Sequence, residues 1–226
     1  MAELHTDIIQ FYARRAGEYE NMYLRPERQP ELRWLERAVM QAFAGEDVLE
    51  VACGTGYWTQ FIAQSARSIV ATDVNREVLE RAKKKDFGVC RVSLVESDAL
   101  SLHGLTGTFT AGFAGFWWSH IPKDETARFV RAFHARLRPG APVVLMDNSF
   151  VAGSSTPISR ADAAGNTYQI RQLADGSRHE ILKNFPSEHD LRTSLESWGR
   201  DVEFVPLTYY WFCRYRVART VVPSRA

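Results

Sequence analysis

The stretch Val48-Leu49-Glu50-Val51-Ala52-Cys53-Gly54-Thr55-Gly56-Tyr57-Trp58-Thr59 decides how the chain is read. It joins a short apolar run, a glycine turn and the first turn of a helix. Glycines in such a turn let backbone N–H groups and bare Cα atoms come close to a ligand. Glu50 lies inside the apolar run, where a carboxylate is costly unless something pairs with it. A strand that accepts this cost just before a glycine turn points to a nucleoside-like ligand carrying a cation.

Outward from this stretch the chain alternates apolar runs with amphipathic ones. Strands are expected at 48–52, 69–73, 90–96, 109–117 and 142–148. Helices are expected between them at 56–66, 76–84 and 123–137, with a short one near 99–103. Asn75 suits an N-cap, and Pro122 suits a helix start. Phe129, Val130, Phe133 and Leu137 form one apolar stripe, which Arg138-Pro139-Gly140 ends. Strands and helices alternating in this way imply an α/β fold with a parallel sheet covered on both faces.

Upstream, residues 6–19 carry Ile8, Ile9, Tyr12 and Tyr19 in a loose helical pattern. A break at Tyr23-Leu24-Arg25-Pro26 precedes a clearer helix opened by Pro30, with Leu32, Leu35, Val39 and Phe43 on one face. Downstream, 149–165 reads as a loop. Runs at 168–173 and 179–185 flank Ala174-Asp175-Gly176-Ser177, a hairpin signal. Ser187-Glu188-His189-Asp190 resembles a capping box, and strands follow at 202–207 and 209–217. The expected organisation is one domain over 1–226: a helical cap at 1–45, a ligand-binding core at 46–150, and an antiparallel part at 151–226 on the substrate side.

Composition narrows the function. The chain has 226 residues, 45% hydrophobic and 24% charged, with a formal charge of +1. That balance offers no basic groove for nucleic acid and no patch for an anionic membrane. No apolar run reaches membrane-spanning length, and the first residues lack a secretory pattern, so a cytoplasmic protein is expected. Cys53, Cys90 and Cys213 match neither a metal knuckle nor a disulfide framework, so no metal is expected.

In a doubly wound sheet, ligands bind beyond the carboxyl ends of the strands. Those ends here carry Glu50 and the glycine turn, Asp73, Glu96-Ser97-Asp98-Ala99, Phe116-Trp117-Trp118-Ser119-His120, and Asp147-Asn148. Asp73 follows Gly56 by 17 residues, a spacing suited to gripping ribose hydroxyls. Thr59 stands where a dinucleotide fingerprint has its third glycine, and no basic residue lies in the turn. A nucleoside with a cationic arm fits better than a dinucleotide.

Glu50-Val-Ala-Cys-Gly-Thr-Gly56, then Asp73, then Ser97-Asp98-Ala99, resembles motifs one to three of class I S-adenosylmethionine (SAM)-dependent methyltransferases of the small-molecule type. The resemblance runs from about Asp47 to Val217. It implies a Rossmann-like, seven-stranded, mostly parallel sheet with a reversed last strand. The N-terminal helices would be the cap and the hairpin an addition. It implies that backbone at Ala52, Cys53, Gly54 and Gly56 lines the methionine and ribose part of SAM, with Glu50 near the amino group. Asp73 would hold the ribose diol, Val74 would touch the adenine, and Asp98 and Ala99 would bond its edge. Phe116 would approach the sulfonium methyl. Phe116-Trp117-Trp118 replaces the Asn/Asp-Pro-Pro-Tyr box of enzymes that methylate DNA amino groups or glutamine, which argues against those acceptors.

The acceptor side is read from the remaining aromatics. Trp117 and Trp118 could wall a pocket for a small aromatic or apolar acceptor, one of them facing the core instead. Tyr12 and Tyr19 could close over SAM and Tyr23 over the acceptor, or all three could simply pack helices. Arg25 could meet the SAM carboxylate or stay solvated. His120 is the candidate general base, since imidazole titrates near neutrality; the alternative is a structural cap at Ile121-Pro122. Cys53 is better explained by packing than by nucleophilic chemistry. Three other readings share these features: an NAD-dependent oxidoreductase, a non-catalytic SAM-binding partner, and aminopropyl transfer. Monomer and homodimer both remain open.

Overall fold

The computed structural model describes residues 11–15 and 17–218. Residues 6–10 and 16 of the first expected helix lie outside them, and residues 11–15 are helical. Helix α1 (Gln29–Ala42) has Pro30 in its first turn and buries Leu32, Leu35 and Val39. The chain then winds through β1 (Asp47–Val51), α2 (Tyr57–Ile62), β2 (Ser68–Asp73), α3 (Arg76–Ala82), β3 (Arg91–Glu96), β4 (Ala111–Gly115), α4 (Thr126–His134) and β5 (Pro142–Asn148). Next come the short β6 (Arg160–Ala161), β7 (Thr167–Gln172), β8 (Arg178–Leu182), α5 (Glu188–Leu195), β9 (Gly199–Pro206) and β10 (Tyr210–Val217).

Seven strands form one sheet in the order β3-β2-β1-β4-β5-β10-β9. β1 through β5 pair in parallel, while β10 is antiparallel to both of its neighbours, so one strand is reversed as expected. Successive residues of a strand face opposite sides of a sheet. Leu49 and Val51 accordingly join the core beneath α4, with Phe129, Val130 and Phe133, while Val48 joins the core beneath α1. Each such apolar side chain contributes about 1.5–3 kcal/mol by leaving water. This double burial makes β1 almost continuously apolar, and it leaves Glu50 as the exception.

Several local expectations change. β4 stops at Gly115 rather than 117, because Phe116 takes a left-handed φ of +59° and Trp117 turns helical. The expected 99–103 helix is a single turn held by Leu102 N–H donating to the Asp98 carbonyl; Leu102, at φ +49°, cannot continue it. Asn75 occupies the N-cap of α3, but its side chain makes no capping bond. Asp73 takes the Asn75 N–H instead, at 2.9 Å. β6 falls inside the stretch expected to be loop, and it widens the expected hairpin into a three-stranded sheet β6-β7-β8. Two residues are too few to show a strand period. Ser187 does form its capping box with Asp190.

Candidate active site

A cleft of about 710 Å³, counting its solvent-open mouth, lies at the carboxyl ends of β1 to β4. It is lined by Tyr12, Ala52, Gly54, Asp73, Val74, Asn75, Val78, Ser97, Asp98, Ala99, Phe116, Trp117 and His120. Ala52 at φ +56° and Phe116 at φ +59° are two of four non-glycine residues with left-handed backbone among those described. Such backbone costs free energy and persists where the surrounding structure imposes it. Here both turns re-aim the chain at the rim of the cleft, directly after β1 and β4.

The floor is acidic. Asp73 accepts the Gly54 N–H at 2.9 Å through one oxygen and the Asn75 N–H through the other. Burial still raises its pKa to about 6, against the pull of those backbone donors. Glu50 is buried in β1, and its Oε2 has no hydrogen-bond partner among the described residues. Burial raises its pKa to about 8; the nearby Thr59 hydroxyl opposes that rise and Asp73 adds to it. Asp98 joins Asp73 along the wall, its carboxylate taking the Leu100 N–H at 2.6 Å. No lysine or arginine lines the cleft among the described residues. A pyrophosphate would meet only negative charge here. A ligand cation would relieve it.

The far wall is a hydrogen-bonded pair. The Tyr12 hydroxyl lies 2.9 Å from His120 Nε2, and His120 Nδ1 lies 2.8 Å from the Leu182 carbonyl oxygen. A carbonyl only accepts, so Nδ1 carries the proton and Nε2 accepts from Tyr12. Burial holds the Tyr12 hydroxyl above its ordinary pKa, which keeps it a donor. Burial, helped by the Lys183 charge, lowers His120 to about 3. The expectation that this imidazole titrates near neutrality is therefore corrected: it is a fixed neutral ring.

Other expected residues lie apart from the cleft. Glu50, buried in β1, does not itself line it, and neither do Cys53 and Gly56. Gly56, at φ +78°, caps α2, and a Cβ there would meet the Ala82 Cβ at 3.1 Å, so it serves the approach of α3. Cys53 is buried in the core, its thiol pKa raised by desolvation. Tyr23 stacks on Tyr57 with ring centroids 3.9 Å apart and accepts from Trp58 Nε1 at 3.0 Å. It is buried edge-on to Phe116, which makes it a support and not an acceptor wall. Trp118 packs into the core against Phe129, and of the two only Trp117 lines the cleft. Arg25 bonds the Ser154 carbonyl, away from the cleft. Tyr19 opens a short 3-10 helix (Tyr19–Leu24), and its side chain lies outside the described residues. Sequence reading assigned no ligand role to Asn75, Val78 or Ser97. They follow Asp73 and precede Asp98 closely enough to have been included.

Residues 48–140 match the family model for a methyltransferase domain. The match covers less than half of the chain, and it agrees with the resemblance to class I SAM-dependent methyltransferases. It is similar to the DhpI–SAH complex structure, with TM-score 0.77, 24% identity, and coverage of 96% of this chain and 98% of that one. The DhpI–SAM–HEP complex gives TM-score 0.76 at 24% identity, covering 94% and 97%. The demethylmenaquinone methyltransferase of Staphylococcus epidermidis is 28% identical over 115 residues, 50% of this chain and 47% of that protein. The chain thus spans about half the length of the curated relatives it matches. Gly54, Asp73 and Asp98 line one cleft.

Proposed function

We propose that the protein transfers a methyl group from SAM to a small-molecule acceptor. The observation that carries this reading is the acidic cleft with the buried Glu50 carboxylate in the strand leading to its glycine turn, one oxygen of which has no hydrogen-bond partner among the described residues. SAM supplies a methyl group already activated on a positively charged sulfur, so its transfer depends more on in-line positioning and water exclusion than on acid–base assistance.

The residues divide that work. Glu50 answers the ammonium group, and Asp73 accepts from the ribose hydroxyls. Val74 and Val78 offer apolar surface to the base, with Asp98 and the Ala99 N–H at its edge. Phe116, aimed by its left-handed backbone, flanks the reacting methyl. Trp117 shields it from one side, and the Tyr12–His120 pair does so from the other. His120 positions this wall; with a pKa near 3 it is a poor proton acceptor at neutral pH.

Calorimetric titration with SAM, S-adenosylhomocysteine (SAH) and NADH tests the reading. SAM and SAH should bind and NADH should not. Retention of NADH with SAM ignored would overturn it. Tight SAM binding without SAH formation across an acceptor panel would favour a non-catalytic partner instead.

A further inference from the structure

Beside the methyl-donor cleft lies a second cavity of about 880 Å³, again counting its open mouth. Its lining includes Arg15, Arg25, Arg28, Arg171 and Lys183, and no carboxylate among the described residues. Two of these cations are already balanced. Lys183 is buried and pairs with Asp147 at 2.9 Å, and Arg25 faces Glu27 at 4.0 Å. Arg15, Arg28 and Arg171 have no carboxylate within 4.0 Å among the described residues.

Some donors inside this cavity are satisfied: Arg28 Nη2 donates to the Ser154 hydroxyl at 3.1 Å and Arg171 Nη2 to the Gln169 side-chain oxygen at 2.8 Å. Arg28 Nε, Arg171 Nε and Asn148 Nδ2, however, are buried with no hydrogen-bond partner among the described residues, and all three residues line the cavity. Arg28 is only 8% exposed, held against the Tyr209 and Tyr210 rings. A buried donor without an acceptor is costly, and a buried guanidinium without an anion more so. Three such donors, from the chain before α1, the end of β5 and β7, converge on one space. Together they suit an anion with several oxygens.

We propose that this cavity binds a dianionic phosphate- or phosphonate-type group of the methyl acceptor, held by Arg15, Arg28 and Arg171. The charge count favours a dianion, because a carboxylate would leave two of the three unbalanced arginine charges uncompensated. Guanidinium forks match tetrahedral oxyanions in geometry as well as charge. The cavity also sits where an acceptor's far end belongs. Phe11 and Arg15 line it, while Tyr12 of the same segment lines the methyl-donor cleft. Lys183 lines it one residue from the carbonyl that holds His120. An acceptor anchored by its anion would reach past Tyr12 and His120 toward the methyl. This proposal rests on the methyl-transfer reading above. It replaces the purely apolar or aromatic acceptor expected from Trp117 and Trp118 by one with an anionic end.

The test is calorimetry on the SAH-loaded protein with inorganic phosphate, methylphosphonate, ethanolamine phosphate, acetate and ethylammonium. The phosphorus oxyanions should bind, acetate at least tenfold more weakly, and ethylammonium not at all. Arg171→Gln and Arg28→Gln should each weaken methylphosphonate by about tenfold or more and leave SAH affinity unchanged. Thermal melting checks that both variants fold; Arg171 lies on the added sheet, so it remains informative if loss of Arg28 disturbs the tyrosines. Equal affinities in wild type and both variants, or acetate binding as tightly as phosphate, would overturn the proposal. So would binding of inorganic phosphate with exclusion of ethanolamine phosphate, which marks a site for free phosphate only. Failure of SAH to bind would count against the methyl-transfer reading instead, and phosphate titration of the SAH-free protein tests the cavity by itself.

Discussion

The Tyr12–His120 hydrogen bond stands between two cavities of opposite character. On one side Asp73 and Asp98 line a cleft without a cation among the described residues, with Glu50 buried in the strand that leads to it. On the other, five cations line a cavity without a carboxylate among the described residues. The difference lies in how each is assembled. The acidic cleft comes from consecutive strand ends of one parallel sheet. The cationic cavity is gathered from residue 15, the chain before α1, the end of β5 and the added β6-β7-β8 sheet. A site built from a repeating fold leaves a regular trace in sequence, and one built from separate insertions does not.

The largest expected effect separates structural charge from ligand-directed charge. Lys183 donates to the Ser119 hydroxyl at 2.6 Å as well as to Asp147, both buried. Lys183→Met should lower unfolding free energy by about 3–5 kcal/mol, because Asp147 is left buried and unpaired. Denaturant titration measures this, and adding Asp147→Asn should restore part of the loss. A change below about 1 kcal/mol would mean that the lysine charge belongs to the cavity's ligand.

Next comes Glu50. Its folded pKa, about 8, stands above its ordinary value of 4.5, so the folded protein holds this proton more tightly than the unfolded chain. Stability of the ligand-free protein is therefore lost as pH rises from about 4.5 to about 8. Glu50→Gln should remove that slope and stabilise the ligand-free protein on the order of 2–3 kcal/mol near pH 9. The same change should weaken SAM. Melting curves at several pH values, with and without SAH, report both. Parallel curves for wild type and variant would show that the carboxylate is not strained, and the acidic cleft would lose its main claim on a cation. Asp73→Ala comes third, with an expected loss of about 1–3 kcal/mol in SAM binding from partners left unpaired. An unchanged calorimetric dissociation constant would remove its ribose role.

The sheet was legible because its strands are buried on both faces and read as apolar runs, and Pro142–Asn148 has the bounds expected of it. Asp73 and Asp98 were legible because the fold delivers strand ends to one edge. Sequence position did not decide between wall and packing for Tyr23 in the cap or for the Trp117-Trp118 pair, and Tyr23 and Trp118 pack into the core. Phe116 explains part of that error: a left-handed residue directly after β4 resets which side chain faces the cleft, and a phenylalanine gives no sign of it. His120 looked like an ordinary imidazole because the packing that buries it, and the Lys183 and Arg171 charges that add to the fall in its pKa, come from far along the chain. Arg28 and Arg171 carried no signal at all, since an isolated arginine in sequence reads as solvated surface.

The smallest effect tests the partition itself. Tyr12→Phe removes one hydrogen bond to His120 Nε2 and should cost about 0.5–1.5 kcal/mol of stability. Its value lies in the pH profile. His120 is neutral when folded, with a pKa near 3 against an ordinary 6.5, so its contribution to stability is lost only as pH falls from about 6.5 toward 3. Methyl transfer should therefore show no imidazole inflection between pH 5 and 8, in wild type or in Tyr12→Phe. An inflection near 6.5 that disappears in His120→Ala would make the ring a working base. The positive cavity would then be further from His120 than Lys183 and Arg171 place it. A flat profile, with rate lowered in Tyr12→Phe and SAM affinity intact, would identify the pair as the wall that keeps the methyl-donor cleft and the anion cavity in register.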